Sequence, residues 1–280
     1  MRELGIARLR RSRRARRPGR SRRGRALALL PRSRLIPSLQ QLAHRPWGIP
    51  AGPWLLRQTW HELLFAHWPV PAELLRPLLP PGLTLQEFAG SAWVAVTPFW
   101  MSGVRLRGWL PLPGAARFEE LNVRTYVTVG DRPGVWFFSL DAASRLAVWG
   151  ARRFYRLPYV HARMSHRHSG GSIDYHSQRR DGTRFEARYE PIGPVTPSRP
   201  GRLEHWLTER YCLYAQRGAG PLYRAEIHHA PWPLQPARAA IGRNDMLRIH
   251  GIDLGDAPAC LHYSRRLEVI VWPPQRVEAC

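Results

Sequence analysis

Lysine is absent: all 43 basic residues of the 280-residue chain are arginine. A guanidinium stays protonated and is no usable amine nucleophile. The composition therefore excludes a Schiff-base lysine, a phosphate-loop lysine and an internal pyridoxal-phosphate linkage. Cysteine is scarce. Cys212, Cys260 and Cys280 are odd in number and show no C-x-x-C spacing, which argues against a disulfide framework and a cysteine-rich zinc site. A reducing compartment, the cytoplasm, is the default expectation. Long apolar runs are missing near the start, where Ala26 to Leu30 stops at Pro31, too short for a secretory segment or a membrane span. No membrane insertion is expected.

Familiar catalytic signatures are missing too. There is no G-x-S-x-G elbow and no G-x-G-x-x-G after a strand. His61-Glu62 is followed by Leu63-Leu64-Phe65, so the second histidine of H-E-x-x-H is lacking. Histidine occurs 12 times, but His166 and His168 lie in a Ser/Gly/His stretch that reads as an exposed hairpin loop. No converging ligand set is legible, and neither a metal nor another cofactor is expected.

What is present is a strongly uneven charge. Residues 1 to 34 hold 14 arginines against the single Glu3, more than half of the formal +23. Such a block repels itself and buries little, and it binds polyanions by counterion release whatever its role. Residues 1–45 read as an arginine-rich flexible leader, which fits a start assigned upstream of the true one or a targeting or processing segment. Residues 46–280 read as a single domain. All 12 tryptophans fall between Trp47 and Trp272 and 44% of the chain is hydrophobic, which gives that domain its core. Nucleic-acid binding is disfavoured, because it needs exposed aromatic platforms and these tryptophans are more simply core.

Gln58 to Leu64 and Ala72 to Leu79 read as short helical or turn pieces, broken at Trp68-Pro69 and ended by Pro80-Pro81-Gly82. Trp93 to Phe99 alternates as a strand, and Pro98 places it at an edge or an end. From Phe118 to Val129 one face carries Leu121, Val123, Thr125, Val127 and Val129. The other carries Phe118, Glu120, Asn122, Arg124, Tyr126 and Thr128. Two readings stay open: a half-buried sheet with a wet face, or a strand lining a cavity. Val135 to Leu140 completes a hairpin across the Asp131-Arg132-Pro133-Gly134 turn. Ser139 or Asp141 then caps a helix ending at Trp149-Gly150. Strands are expected over Tyr155–Met164, Ile173–Gln178, Arg184–Tyr189, Tyr211–Tyr214, Leu222–His228 and Leu267–Trp272, with a short helix over Leu203–Arg210. The expected class is mixed α+β and strand-rich: a curved antiparallel sheet or barrel with inserted short helices.

Arginine offers a planar fork for a carboxylate, and a buried glutamate serves as acid or base. Glu120 and Arg124 on one strand face, Arg152 past the Trp149-Gly150 helix end, and Glu209-Arg210 at another helix end form the candidate anion site. Asn122, Tyr126, Tyr155 and His228 are candidate ligand contacts. Each has a bland alternative as a structural ion pair or a core polar group.

These stretches resemble the YqjF-like family of uncharacterised bacterial proteins. The resemblance runs over residues 54 to 245 and is carried by His61 through Pro69, Trp93 to Phe99, Phe118-Glu119-Glu120-Leu121-Asn122-Val123-Arg124-Thr125-Tyr126-Val127, Gly134 through Ala142, Arg156-Leu157-Pro158-Tyr159 and Leu207-Thr208-Glu209-Arg210-Tyr211. It implies the acetoacetate decarboxylase-like fold, a curved antiparallel sheet closed into a cone or barrel around a small-molecule cavity. Trp149-Gly150-Ala151-Arg152-Arg153 looks like the place where the decarboxylases carry their catalytic lysine. Glu120 looks like their cavity glutamate. The resemblance thus implies a cavity that keeps the acid and lacks the nucleophile. The leading expectation is a small-molecule-binding protein with an arginine- and glutamate-lined cavity suited to an anionic ligand, without Schiff-base decarboxylase activity. Acid-base catalysis on a small carboxylated or enolisable substrate, nucleic-acid binding through the leader, and a structural or protein-interaction role are the alternatives. The composition leaves the oligomeric state open.

Overall fold

The computed structural model describes residues 36–109, 116–255 and 257–277. The chain divides into two units, Met1–Ile36 and Pro37–Cys280. The leader up to residue 35 and Cys280 lie outside the described residues. Residues 37–45, which the sequence groups with the leader, belong to the second unit. Arg45 is buried and donates through Nη1 to the Ile227 carbonyl at 2.7 Å and through Nη2 to Glu226 Oε2 at 3.3 Å.

Strands dominate. In chain order the elements are β1 (Leu56–Val70), α1 (Ala72–Leu75), β2 (Thr84–Leu85), β3 (Glu87–Phe88), β4 (Ser91–Leu106), β5 (Arg117–Val129) and β6 (Arg132–Ala142). Then come α2 (Arg145–Gly150), β7 (Tyr159–Ser169), β8 (Ser172–Arg179), β9 (Arg184–Pro191) and α3 (Leu203–Thr208). The last are β10 (Cys212–Ala215), β11 (Tyr223–His228), β12 (Gln235–Asn244), β13 (Cys260–Val271) and β14 (Gln275–Arg276). All 14 strands belong to one curved sheet, antiparallel except where β6 lies parallel to β7 and to β10. The pairing path runs back on itself, because β11 pairs with β10 and β13, and β6 pairs also with β5. Among the described residues no helix is long and apolar enough to cross a membrane.

Strand alternation supplies two cores. Leu63, Phe65, Phe99, Phe118, Tyr126, Phe137 and Val269 join one cluster. Leu64, Ala66, Val94, Val96, Leu121, Val123, Tyr175 and Phe185 join another. Neighbours such as Leu63 and Leu64 thus serve opposite faces, as a period of two requires. Filling both faces explains why Gln58 to Leu64, expected to be a short helical or turn piece, lies within β1: polar Gln58, Thr59, His61 and Glu62 interrupt its apolar residues and leave no clean period, so tertiary packing decides it.

Pro98 does not mark an edge, since β4 lies between β1 and β5. Its ladder to β1 is interrupted between His61/Trp100 and Ala66/Val96, a β-bulge in which Glu62 adopts φ 52°. A residue without an N–H sits opposite the irregularity, where regular pairing is already lost. The helix expected to start at Ser139 or Asp141 starts later, with Ser144 Oγ accepting from Ala147 N at 3.2 Å. Asp141 and Ser139 stay on β6, engaged by β8. Arg179 Nε donates to Asp141 Oδ1 at 2.7 Å, Arg179 Nη2 to Ser139 Oγ at 2.6 Å and Ser177 Oγ to Asp141 Oδ2 at 2.9 Å. Gly150 does not terminate the helix either. The chain continues through a π-helical turn, Ala151–Tyr155, and ends at Arg156 with φ 58°.

One glycine is required by close approach. A Cβ on Gly134 would lie 2.7 Å from Cys212 Sγ and 2.8 Å from the Cys212 carbonyl oxygen, so the parallel β6–β10 pair closes only over a bare Cα.

Candidate functional site

The second face of β5 carries the polar residues of a cavity of about 110 Å³. Glu120, Asn122 and Arg124 stand in a row along that face, joined by Thr97 from β4, Tyr155 and Tyr159 from the crossover and β7, and Arg210 after α3. Apolar side chains close the remaining walls, among them Trp60, Phe99, Phe137 and Trp232. The volume lies below the ~300 Å³ at which drug-sized ligand sites begin. It admits a molecule of a few heavy atoms.

Glu120 is 3% exposed and accepts from the Tyr159 hydroxyl through Oε2 at 2.8 Å. Burial pushes its carboxyl up to about 8, against the hydrogen bonds from Tyr159 and Asn122, which favour the anion. At neutral pH the group is therefore mostly a neutral acid. Tyr175 packs behind it and donates its hydroxyl to the backbone carbonyls of Phe99 at 2.9 Å and Glu120 at 2.8 Å, fixing the strand that carries the carboxyl.

Two buried arginines face this acid without a carboxylate partner among the described residues. Arg124 is 7% exposed, its Nε and Nη2 have no hydrogen-bond partner, and its guanidinium lies 5.3 Å from the Phe65 ring centre. Arg210 is 5% exposed and donates through Nε to the Trp206 carbonyl at 2.8 Å and through Nη1 to Gln86 Oε1 at 2.6 Å, which leaves Nη2 unpartnered. Burial lowers Arg210 to about 10, with Arg124 adding repulsion, so it keeps its charge at neutral pH. Asn122 Oδ1 and the Tyr155 hydroxyl also lack partners. Buried guanidinium groups are normally neutralised, because desolvating one costs several kcal/mol.

The other residues singled out from the sequence lie off the cavity wall. The Tyr126 ring sits beneath both guanidiniums, 5.9 Å from Arg124 and 5.0 Å from Arg210, with its hydroxyl 2.8 Å from His67 Nε2. Glu209 is a bracket: Oε1 accepts from Trp232 N at 2.9 Å and Oε2 accepts from the Tyr211 hydroxyl. Arg152 faces a surface groove with Arg145, Trp149, Arg153 and Arg217, and its Nε donates to the Tyr159 carbonyl at 2.5 Å. The π-helical turn gives the cavity Ala151 and Tyr155 instead, which share its inner side. His228 is fully buried between Ser38 O, 2.7 Å from Nε2, and Arg45, and burial lowers it to about 4. Its neighbour His229 lines the cavity. Sequence reasoning missed Tyr159 and His229, the latter lying just past the end of β11, where strand alternation gives no signal.

Comparison with known proteins bears on this geometry. Residues 57–268 match the model of the DUF2071 family, uncharacterized conserved proteins. The uncharacterized protein YqjF of Bacillus subtilis (strain 168) is 45% identical over 228 residues, covering 81% of this chain and 94% of that protein. Among solved structures, the enduracididine biosynthesis enzyme MppR complexed with pyruvate superposes with a TM-score of 0.60 at 13% identity, covering 85% of this chain and 97% of that one. Acetoacetate decarboxylase from Legionella pneumophila gives 0.58 at 11% identity, covering 84% and 93%. At such identities the likeness is one of fold: the sheet is that of the acetoacetate decarboxylase-like proteins. Match length and identity together make this chain a member of the DUF2071/YqjF family.

Proposed function

We propose that the cavity binds a small carboxylate, held by Arg124 and Arg210, with Glu120 positioned to exchange a proton with it. The observation that carries this reading is the pair of buried guanidinium groups with open N–H donors beside a buried carboxyl that is neutral at pH 7. A carboxylate of a few heavy atoms would neutralise the pair and accept the free donors, and arginine's planar fork suits that geometry. The curved sheet would then enclose the ligand as a cone or barrel. In a chain without lysine, turnover would proceed without an imine, and its thiol content suits the cytoplasm.

A carboxyl poised near 8 can both take and give a proton close to neutral pH. This favours an enolisable substrate: the ionised fraction of Glu120 removes a proton α to a carbonyl and becomes the neutral acid, the C–H electron pair forms the enol double bond, and the carbonyl oxygen takes the charge beside a guanidinium. A structural or interaction role would fit the small volume and the exposed Leu146, Trp149 and Phe154. It gives no reason for two unneutralised buried cations.

Pyruvate, the ligand of the MppR structure, is a suitable probe. Calorimetric titration of the full chain should show binding that Arg124→Met weakens at least tenfold. Exchange of the pyruvate methyl protons with deuterated solvent, followed by NMR, should be accelerated by the protein and lost in Glu120→Gln. Failure of pyruvate, acetoacetate and acetate alike to bind would overturn the carboxylate reading. Binding without exchange would leave a carrier and remove the acid-base step.

A further inference from the structure

We propose that Glu62, His166 and His168 form a site for one divalent transition-metal ion of the zinc class, away from the cavity, completed by solvent. The expectation that His166 and His168 occupy an exposed hairpin loop is corrected by the fold: both lie on β7, paired with Tyr175 and Ile173 of β8. Two apart on one strand, they project from the same face. The bulge in β1 brings Glu62 to them, and ligand atoms of the three residues lie within 4.8 Å of one another. Glu62 Oε2 and His168 Nε2 are 3.2 Å apart, which is the spacing of two ligands on a tetrahedral ion with bonds of about 2.0–2.1 Å.

The surroundings hold these groups as ligands are held. His166 Nδ1 is engaged by Glu119 Oε1 at 3.1 Å, which leaves Nε2 as its ligand atom and gives the carboxylate–histidine arrangement that orients metal-bound imidazoles. Trp100 Nε1 donates to Glu62 Oε2 at 2.9 Å, and the Trp100 ring stacks parallel to His166 at 5.7 Å. Each of these two ligands thus has a partner that fixes its direction. The third, His168, has a side chain 61% exposed, so solvent reaches the site and water can fill the remaining position. Two imidazoles and one carboxylate suit zinc, cobalt or iron(II) and do not suit calcium or magnesium, which take oxygen ligands.

Zinc titration of the chelator-stripped full chain, against a chromophoric zinc chelator, tests the site. One ion per chain is expected, with affinity reduced at least 100-fold in His168→Ala and in Glu62→Gln, and 10- to 100-fold in Glu119→Gln. His168 is exposed, so His168→Ala should keep the parent's thermal midpoint without metal, which separates lost ligation from lost folding. His176→Ala, on β8 outside the cluster, should keep full affinity. Cobalt substitution should give the visible absorption of a four-coordinate nitrogen–oxygen site. Zinc held equally well by the His166→Ala/His168→Ala double variant, or no stoichiometric zinc in the parent protein, would overturn the proposal.

Discussion

Glu119 and Glu120, adjacent on β5, serve opposite faces of the sheet. Glu120 is buried against the Tyr159 hydroxyl at 2.8 Å inside the cavity, and Glu119 accepts from His166 at 3.1 Å on the other side. The environments push the two carboxyls apart. Burial raises Glu120 to about 8, whereas the hydrogen bond from His166 holds Glu119 below its ordinary value. One peptide unit separates a neutral acid from an anion.

The shift at Glu120 sets a pH dependence of stability. Its folded value of about 8 lies above the ordinary 4.5, so the unfolded chain releases this proton first. The associated stability is fully present below pH 4.5 and is lost as pH rises toward 8, by an amount on the order of 5 kcal/mol. Urea denaturation at pH 5 and pH 9 should show Glu120→Gln losing less stability across that interval than the parent. Parallel profiles would refute the raised value.

Arg124 should be a liability to the empty protein. Replacing it with the similarly long, uncharged methionine removes a buried charge without a carboxylate partner, so the unfolding free energy of Arg124→Met should be unchanged or rise by about 1–4 kcal/mol. Carboxylate binding should fall at the same time. A loss of stability of similar size would mean that the guanidinium is structurally satisfied.

Asp141 and Arg179 should behave oppositely. Their 2.7 Å bond is buried and further tied by Ser139 and Ser177, so Arg179→Ala strands a buried carboxylate and should cost about 3–5 kcal/mol. Replacing both partners with apolar residues should recover most of that loss, measured as a double-mutant cycle in urea.

Gly134→Ala should destabilise by about 1–3 kcal/mol, because the new methyl meets Cys212 and Tyr214 at under 3.0 Å. The same change at Gly242, whose Cβ would meet nothing within 4 Å, should be tolerated. Thermal midpoints of the two variants give the comparison.

How far the sequence carried differs from element to element. The β5 alternation was legible because a strand packed on both faces still sorts its residues by period two, which put Glu120, Asn122 and Arg124 on one face. β1 is ambiguous over residues 58–64 because Gln58, Thr59, His61 and Glu62 interrupt its apolar residues and leave neither a period of two nor one of 3.6. β12 gave no signal, since its Gln-Pro-Ala-Arg-Ala-Ala start has little of the β-branched and aromatic content by which a strand is recognised. At the site, Arg210 could be singled out as a charge at a helix end, but its inward direction came from Trp206 and Gln86. Arg152 and Ala151 differ only in which side of a π-helical turn they occupy, and periodicity calibrated on 3.6 residues does not predict that turn. His166 and His168 read as loop residues because Glu62, whose carboxylate lies beside them, is distant in sequence and arrives by a bulge.

The connection between β6 and β7 begins and ends on the same rungs of the sheet, where Leu140 pairs with Tyr159 and Ala142 with His161. Ala143 N is tied to the Glu119 carbonyl at 3.1 Å and Leu140 N to the Pro158 carbonyl at 3.2 Å. Between these anchors the chain forms a loop with its ends sealed, and that loop supplies Ala151, Tyr155 and Leu157 to the cavity. Insertions or exchanges inside it should leave the ladder in register, because both anchors lie outside it. This wall is therefore a self-contained segment, and exchanging residues within it should reshape the cavity while the row of Glu120, Asn122 and Arg124 along β5 keeps its place.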